Sequence, residues 1–545
     1  MPTAAATASL TQGKAARPRR LPVPRAVWFI LGFLALLLTV PVTGLLPELF
    51  SSSENWAALV PRLFTAYLKD TLILTIGTGL LTLLLGVPTA WLTSTCRFPG
   101  SRLFAWALVL PLALPGYLAV YGYHDLLTRA SGLIVWMRVH WGTGPAAAIE
   151  ENLRYLILTG IFGAVLYPYV YLTARASFRR QAAALIEASR LLGHSATSTF
   201  RRIALPLARP AIAGGVALAL MEVLNDYGAV RFFGLKTLTT GIFRYGYDLD
   251  DKAAAVRLSL MLLGLVVVLL TMEKAARGRA RFDEGAAHRP LTPWSLTGFK
   301  AWAATAVCLI PLTLGFLLPG GRILQLAWLG AADGLPRGFW PAFGHTLLLA
   351  GGTAVLIAVF ALLLAYAVRL QRGLLGRLAA RAALAGYGMP GAVVALAVTL
   401  GLIRLSQSMG FGLITGTFTG LVIAYMVRFL AVAYQPLEGG LQRVCGSLDD
   451  ASRTLGIGPW RTLWRINLPL LHGPLLAAVL LAFIDLLKEL PITLLLRPHN
   501  FSTLATRAWD LQEQSRLPEA CLPAVVIILL GTAGALWLHR SLENK

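Results

Sequence analysis

The chain has 545 residues, of which 57% are hydrophobic and only 13% are charged, and its formal net charge is +23. A soluble protein of this size could not bury so much apolar surface, so the composition excludes an ordinary soluble enzyme and predicts a polytopic membrane protein. The basic residues stand in short loops beside apolar segments, which is typical of cytoplasmic loops and argues against a nucleic-acid-binding protein. The cysteines show no CxxC spacing, so neither a disulfide framework nor a zinc site is indicated.

Long apolar stretches recur along the whole chain. A helix needs roughly twenty apolar residues to cross the hydrocarbon core of a bilayer, and about twelve stretches meet this requirement. The predicted spans are 27–46, 71–93, 103–124, 155–173, 207–226, 255–272, 300–319, 345–367, 379–403, 413–433, 470–490 and 522–539. The sequence therefore predicts an all-α polytopic membrane protein.

The polar segment 273–298 divides these spans into two sets of six. The predicted organisation is a tail at 1–26, a first unit at 27–272, a linker at 273–298 and a second unit at 299–540. Because the Arg-rich loops all fall on one side of this topology, we expect that side, with both termini, to be cytoplasmic. The apolar run after the basic tail is full length, so we interpret it as a retained membrane helix rather than a cleaved signal.

One polar, Arg-rich stretch occurs twice between apolar runs, at about 180–206 and 443–469. The first copy contains Glu187, Ala188, Ser189, Gly193 and Pro206, and the second contains Asp450, Ala451, Ser452, Gly456 and Pro469. Gly193 and Gly456 are separated by the same number of residues as Pro206 and Pro469, and we call this number the repeat offset. Small residues let another protein approach closely, and glycine allows a sharp turn. Two copies in register favour a docking surface over loops that only fix the topology.

These two stretches resemble the cytoplasmic coupling loop of bacterial ABC-transporter permeases, the Glu-Ala-Ala…Gly…Leu-Pro motif that seats in the ATPase subunits. The resemblance implies two tandem six-helix permease units with the type I ABC importer permease fold, in the bacterial inner membrane. It also implies a cytoplasmic ABC ATPase dimer and a periplasmic substrate-binding protein as partners. The sequence has no GxxxxGK[ST] loop, so we expect a chain that is not itself an enzyme and binds no cofactor, while its partners use ATP and Mg.

The segments that follow each copy narrow the resemblance. Residues 221–244 resemble the first half of ferric-iron permeases, and residues 485–507 resemble the second half. This implies a pathway for iron(III) uptake. Fused permeases for thiamine and for phosphonates share the architecture and remain alternatives. The composition also allows an ion-coupled secondary transporter, but such a carrier would not need a duplicated docking loop.

Two acidic pairs stand at the ends of the predicted membrane helices. Glu222 and Asp226 lie four residues apart on one helix face, and Asp485 and Glu489 repeat the spacing at the repeat offset. Charges at membrane depth are costly unless they are paired or face a wet cavity. One hypothesis is an acidic lining of the translocation pathway, since carboxylate oxygen suits a hard cation. The alternative is structural, with ion pairs to Lys488 or Arg231 or bonds to nearby backbone.

Further features surround these pairs. Pro115-Gly116 and Pro390-Gly391 fall inside predicted spans, separated by slightly more than the repeat offset, and predict kinks or unwound turns. The change of offset places about a dozen additional residues in the first half, between roughly 125 and 154. The segments 229–252 and 492–520 are expected to meet the binding protein. Tyrosines near the spans could supply phenolate ligands, although an interfacial belt is favoured; they are Tyr117, Tyr121, Tyr123, Tyr167, Tyr169 and Tyr171.

Overall fold

The computed structural model describes residues 25–181, 189, 191–277, 293–332, 334–371, 373–410 and 416–543. In these ranges the chain is almost entirely helical, which confirms the all-α fold class. Two short strands, β1 (Cys96–Arg97) and β2 (Trp294–Ser295), form one parallel pair. Leu296 N also donates a hydrogen bond to Arg97 O (2.9 Å), so the end of the linker is attached to the first half.

The first half contains ten described helices. They are α1 Arg25–Leu49, α2 Trp56–Thr95, α3 Ser101–Ala113, α4 Gly116–Gly122, α5 His124–Trp141, α6 Thr143–Gln181, α7 Ala196–Asn225, α8 Gly228–Phe232, α9 Leu238–Phe243 and α10 Lys252–Arg277. The short helices α8 and α9 lie in the segment 229–252. Helix α10 extends into the predicted linker, and residues 278–292 of that linker lie outside the described residues.

The second half repeats this order in the part of the chain that the structure describes. Its helices are α11 Gly298–Ala331, α12 Phe339–Leu370, α13 Leu374–Ala385, α14 Gly391–Met409, α15 Phe418–Arg443, α16 Gly446–Thr454, α17 Pro459–Leu470, α18 His472–Leu487, α19 Pro491–Leu496, α20 Leu504–Glu513 and α21 Leu517–Glu543. Helix α6 has 39 residues and its counterpart α15 has 26. This difference is close to the change of offset, so the additional residues of the first half lengthen α6.

The predicted membrane spans fall mainly on helices. Nine helices among the described residues are long and apolar enough to cross a membrane, or eleven if each of two bent pairs counts as one span. The pairs are α3–α4, bent by 99°, and α17–α18, bent by 80°. Helix α1 covers the first predicted span. The predicted span 379–403 is divided between α13 and α14, with the break at Pro390-Gly391.

The two halves interlock through their first helices. Helix α1 packs against α14 of the second half, and α11 packs against α4 of the first half. Backbones approach closely at these crossings, since a Cβ atom on Gly44 would lie 2.6 Å from Ala397 O. One on Gly122 would lie 2.5 Å from the Cα atom of Pro319. Small residues permit such close helix packing inside a membrane. The first helix of each half therefore packs on the helix that follows the Pro-Gly pair of the other half, α14 or α4.

Candidate functional site

The two halves enclose a small polar cavity where their broken helices meet. Its volume is about 70 Å³. It is lined by residues of α3, α4, α6 and α7, by residues of α15 and α18 with their flanking turns, and by Tyr387 between α13 and α14. All four acidic side chains singled out in the sequence line this one cavity. They are Glu222, Asp226, Asp485 and Glu489. The structure thus brings together two acidic pairs that belong to different halves of the chain.

Two of these carboxylates act as helix caps. Asp226 follows the last residue of α7, and its Oδ1 accepts a hydrogen bond from Ala229 N (2.7 Å). Glu489 occupies the equivalent position after α18, and its Oε1 accepts one from Ile492 N (3.1 Å). The first turns of α8 and α19 carry backbone N–H groups without intrahelical partners, which an acidic side chain can satisfy. These are the backbone contacts that the structural interpretation of the acidic pairs expects.

The glycine of each Pro-Gly pair places its backbone directly against one of these two carboxylates. A Cβ atom on Gly116 would lie 2.9 Å from Asp226 Oδ2, and one on Gly391 would lie 2.9 Å from Glu489 Oε1. Any larger residue would displace the carboxylate or the helix break. Gly391 N also donates a hydrogen bond to Asn225 Oδ1 (2.7 Å), which links the end of α7 to the broken span of the other half.

The acidic residues of the second half are paired with basic side chains. Arg428 Nη1 lies 3.1 Å from Glu489 Oε1, and both side chains are buried. Lys488 Nζ lies 3.0 Å from Asp485 Oδ1. The expected ion pair of Lys488 with Asp226 or Glu489 is therefore wrong. Sequence reasoning missed Arg428, although a basic residue inside the apolar run of α15 was a signal that could have identified it.

The acidic residues of the first half have neutral partners. Glu222 Oε1 accepts a hydrogen bond from Tyr169 Oη (3.1 Å), and Asp226 bonds to backbone. Among the described residues, neither carboxylate has a basic side chain at ion-pair distance, so the expected pair with Arg231 is absent there. No three His, Cys, Asp or Glu side chains in that part of the chain lie close enough to hold a metal ion together.

The tyrosines lie mainly inside the protein. Tyr117, Tyr121, Tyr167 and Tyr171 are each at most 4% exposed, so the interfacial belt expected from the sequence is wrong for these four. Tyr117 and Tyr169 line the cavity. Within the described residues, Tyr117 Oη has no hydrogen-bond partner. A buried hydroxyl without a partner is unusual and calls for an explanation.

The two Arg-rich stretches end in the same type of turn. Gly193 has φ +78° and Gly456 has φ +72°, in the left-handed region where glycine carries little steric cost. The N–H of the residue after each glycine donates to Ser189 O (3.1 Å) or to Ser452 O (2.9 Å). This hydrogen bond is characteristic of a Schellman helix ending. The repeated sequence therefore encodes a repeated local structure.

Each stretch presents apolar side chains to solvent beside its glycine. Leu192 and Leu455, which occupy equivalent positions, are both 77% exposed. Of the other predicted coupling residues, Ser189 and Ser452 are buried, Pro206 is half-buried, and the rest are exposed where the structure describes them: Gly193, Asp450, Ala451, Gly456 and Pro469. Glu187 and Ala188 lie outside the described residues.

The second stretch is attached to its own half by a buried polar cluster. Arg369 Nε, at the end of α12, donates to Asp449 Oδ2 (2.8 Å), and its Nη2 donates to Val444 O (3.0 Å). Asn467 Nδ2 donates to the other oxygen of Asp449 (3.2 Å). One guanidinium group therefore joins α12, the end of α15 and α16.

The first stretch is attached by aromatic packing instead. The ring of Trp91, near the end of α2, lies 5.0 Å from Phe200, 5.4 Å from Phe178 and 5.8 Å from Trp294. Trp294 belongs to the end of the linker, so this segment forms one wall of the packing. Ala204 stands at the position equivalent to Asn467. The two halves thus support equivalent stretches with different chemistry.

Comparison with known protein families gives a match over most of the chain. The model of the family described as "binding-protein-dependent transport system inner membrane component" matches residues 15–276 and 354–545. The chain therefore contains the family's unit twice, one match in each half.

Individual relatives are more distant in sequence. The chain is 26% identical to the Fe(3+)-transport system permease protein FbpB 2 of Haemophilus influenzae, over 85% of this chain and 87% of that protein. It is 23% identical to the ferric transport system permease protein FbpB of Actinobacillus pleuropneumoniae, over 69% of this chain and 56% of that protein. A sulfate transport system permease protein CysT of Salmonella typhimurium is 29% identical over 44% of this chain and 87% of its own length.

Proposed function

The chain belongs to the family of binding-protein-dependent transport system inner membrane components, and from this premise we propose that it is the membrane permease of an ATP-driven iron(III) importer. Its two units form the translocation pathway between them. The iron(III) substrate is supported by the relatives named as ferric permeases, one of which is matched over 87% of its length.

The observation that carries the proposal is the convergence of four carboxylates in one cavity between the halves. The cavity lining holds four acidic and two basic side chains, an excess of negative charge that attracts cations. Carboxylate and phenol oxygen atoms are the ligands that hard metal cations prefer. An anion such as sulfate or a phosphonate would be repelled by the same lining, so the related anion permeases indicate the architecture rather than this substrate.

The partners follow from the same premise. We propose that an ATPase dimer, which uses ATP and Mg, docks on the two Arg-rich stretches on the cytoplasmic side, where both termini also lie. The exposed Leu192 and Leu455 supply apolar contact for this docking. A periplasmic binding protein delivers the substrate to the opposite side, where the short helices α8, α9, α19 and α20 lie. ATP binding then moves the docked stretches, and the halves rock about the cavity.

The substrate can be tested with the complete complex in proteoliposomes. We expect radiolabelled iron(III), presented on the binding protein, to accumulate when ATP is supplied to the ATPase side. Excess unlabelled thiamine, sulfate or phosphonate should not reduce this uptake. Accumulation of labelled thiamine with no uptake of iron would overturn the iron assignment and favour the alternative.

A further inference from the structure

The cavity lining consists largely of equivalent positions from the two halves. The repeat offset relates seven pairs of lining residues: Val165 and Arg428, Leu166 and Phe429, Glu222 and Asp485, Asn225 and Lys488, Asp226 and Glu489, Tyr227 and Leu490, and Gly228 and Pro491. The cavity therefore has a first-half wall and a second-half wall with matching acidic positions. Because the acidic positions match, the positions at which the two walls differ can indicate which wall contacts the substrate.

The walls differ in their basic residues. Arg428 and Lys488 stand in the second half where the first half has Val165 and Asn225, which carry no charge. Because each basic residue is paired with an acidic one, the second-half wall has no net charge. The first-half wall keeps two carboxylates, Glu222 and Asp226, whose contacts are with a phenol and with backbone.

A separate observation also points to the first-half wall. Tyr117 is only 4% exposed, and its Oη has no hydrogen-bond partner among the described residues although it lines the cavity. Tyr117 directly follows Gly116 of the first Pro-Gly pair, and the residue that follows Gly391 of the second pair is Ala392. A phenol oxygen that meets no protein group is available to a visiting ligand. The second half also contributes a phenol to the lining, Tyr387, but this residue is half-buried and stands at a different position of the repeat.

We propose that a small hard metal cation passes along the first-half wall alone, with Glu222, Asp226 and Tyr117 as its oxygen contacts. This inference rests on the proposed function and assigns its substrate contacts. The ion pairs of the second half keep the net charge of the lining at two negative charges instead of four. A passing ion must be bound strongly enough to enter and weakly enough to leave, and the neutral wall limits its retention.

The chain offers matched variants for a test. Glu222→Gln with Asp226→Asn removes the charge of the first-half wall while keeping hydrogen-bond acceptors for Tyr169 and Ala229. Asp485→Asn with Lys488→Asn removes the ion pair at the positions equivalent to Glu222 and Asn225, and it leaves the net charge of the cavity unchanged. Each variant is purified with its ATPase and binding protein, and uptake of labelled iron(III) is compared with ATP hydrolysis stimulated by the loaded binding protein.

We expect the first-half double variant to lose iron uptake by tenfold or more and to retain stimulated hydrolysis within twofold. The second-half variant should keep at least half of the wild-type uptake. If the first-half double variant does not assemble, the single variant Glu222→Gln serves instead, with an expected loss of at least threefold. Equal loss in both double variants, or wild-type uptake without the first-half carboxylates, would overturn the inference.

The outcomes also separate this inference from the proposed function. If the wild-type complex accumulates iron and the two double variants behave alike, the one-sided pathway is wrong and the iron importer stands. If the wild-type complex accumulates no iron, both are overturned. Gallium(III), a hard cation that is not reduced under these conditions, should compete with iron in the wild type and in the second-half variant.

Discussion

At the scale of single residues, the cavity shows how ionisable groups are accommodated at membrane depth. Burial of a charge is costly unless the charge is paired or hydrogen-bonded. Glu489 meets this requirement twice, through Arg428 and through the N–H of Ile492. Asp226 has the backbone bond and no ion pair among the described residues. Neutralising Glu489 should therefore lower the free energy of unfolding more than neutralising the equivalent Asp226.

Replacing Glu489 with Gln should destabilise the protein because Arg428 would remain buried without a counter-charge. Removal of one partner of a buried ion pair typically costs roughly 3–5 kcal/mol. Asp226→Asn is the matched control, and it should cost about 1 kcal/mol or less because Asn also caps helices well. The midpoints of thermal unfolding in detergent measure the difference. Equal midpoints for the two variants would show that the Arg428–Glu489 pair adds nothing to stability.

Much of this site could be predicted from the sequence, and the reasons for the misses are physical. The spacing of Glu222 and Asp226 and its repetition identified the acidic lining residues. The partner of Glu489 could not be identified from spacing, because Arg428 lies 61 residues away and is brought near only by tertiary packing. Aromatic residues favour both membrane interfaces and protein interiors, so the sequence around Tyr117 and Tyr121 does not distinguish these two locations.

At the scale of elements, the repeated Arg-rich stretch combines a fixed turn with two different attachments. Its glycine adopts a left-handed conformation in both halves. The second copy is attached through Arg369 and Asp449, and the first through the ring of Trp91. The shape offered to a partner is therefore shared, while its rigidity depends on different interactions.

Gly456→Ala should weaken binding of the ATPase subunits, because a residue with a side chain in the left-handed region costs roughly 1–2 kcal/mol and would distort the turn. We expect a fall in affinity of about fivefold to thirtyfold. Gly458→Ala is the control, since its φ is −68° and a Cβ atom there would meet nothing within 4 Å. The measurement is the affinity of the purified permease for the proposed ATPase subunits. Similar affinities for both variants would contradict the role of the turn.

Arg369→Gln should loosen the second Arg-rich stretch selectively. The side chain of Asp449 is 10% exposed and would lose its cationic partner, so α16 should open more often. Amide hydrogen exchange is expected to become faster over residues 446–454 and to stay unchanged over 205–225. Arg377→Gln, at an exposed position of the next helix α13, should change neither region. Unchanged exchange over 446–454 would exclude the attachment by Arg369.

The sequence predicted the membrane spans and the Pro-Gly breaks, but it did not predict every bend. Span positions followed from apolar length, and both Pro-Gly breaks followed from the backbone limits of these residues. The 80° bend between α17 and α18 has no counterpart in the first half, where the equivalent helix α7 is continuous. The sequence repeat therefore did not predict this bend. The chain near this bend carries Pro469 and Pro474, whereas α7 continues through Pro206 and Pro210, so proline alone does not decide between a bend and a continuous helix.

At the scale of the whole molecule, two similar units form one interlocked body. The first helix of each half packs against the broken span of the other, and Asn225 bonds the backbone of Gly391 across the interface. This exchange could not be read from the sequence, because an apolar span does not reveal which neighbour it meets. It places both acidic pairs around one cavity, so movement of either half changes the shape of the shared pathway.

The proposed function as a whole requires a separate ATPase that drives movement of the permease. A secondary transporter with the same spans would be driven by an ion gradient and would need no ATPase. The exposed Leu192 and Leu455 distinguish the two cases, since they offer apolar surface at equivalent positions of the two halves. Replacing both with Asp should separate the permease from its ATPase without touching the cavity.

The most direct measurement is the energy dependence of iron accumulation in proteoliposomes containing the permease, its ATPase and its binding protein. We predict that labelled iron(III) accumulates only with hydrolysable ATP, and that Leu192→Asp with Leu455→Asp reduces accumulation by tenfold or more. Ionophores that collapse proton and sodium gradients should have no effect. Accumulation driven by an ion gradient in the absence of the ATPase would contradict the account.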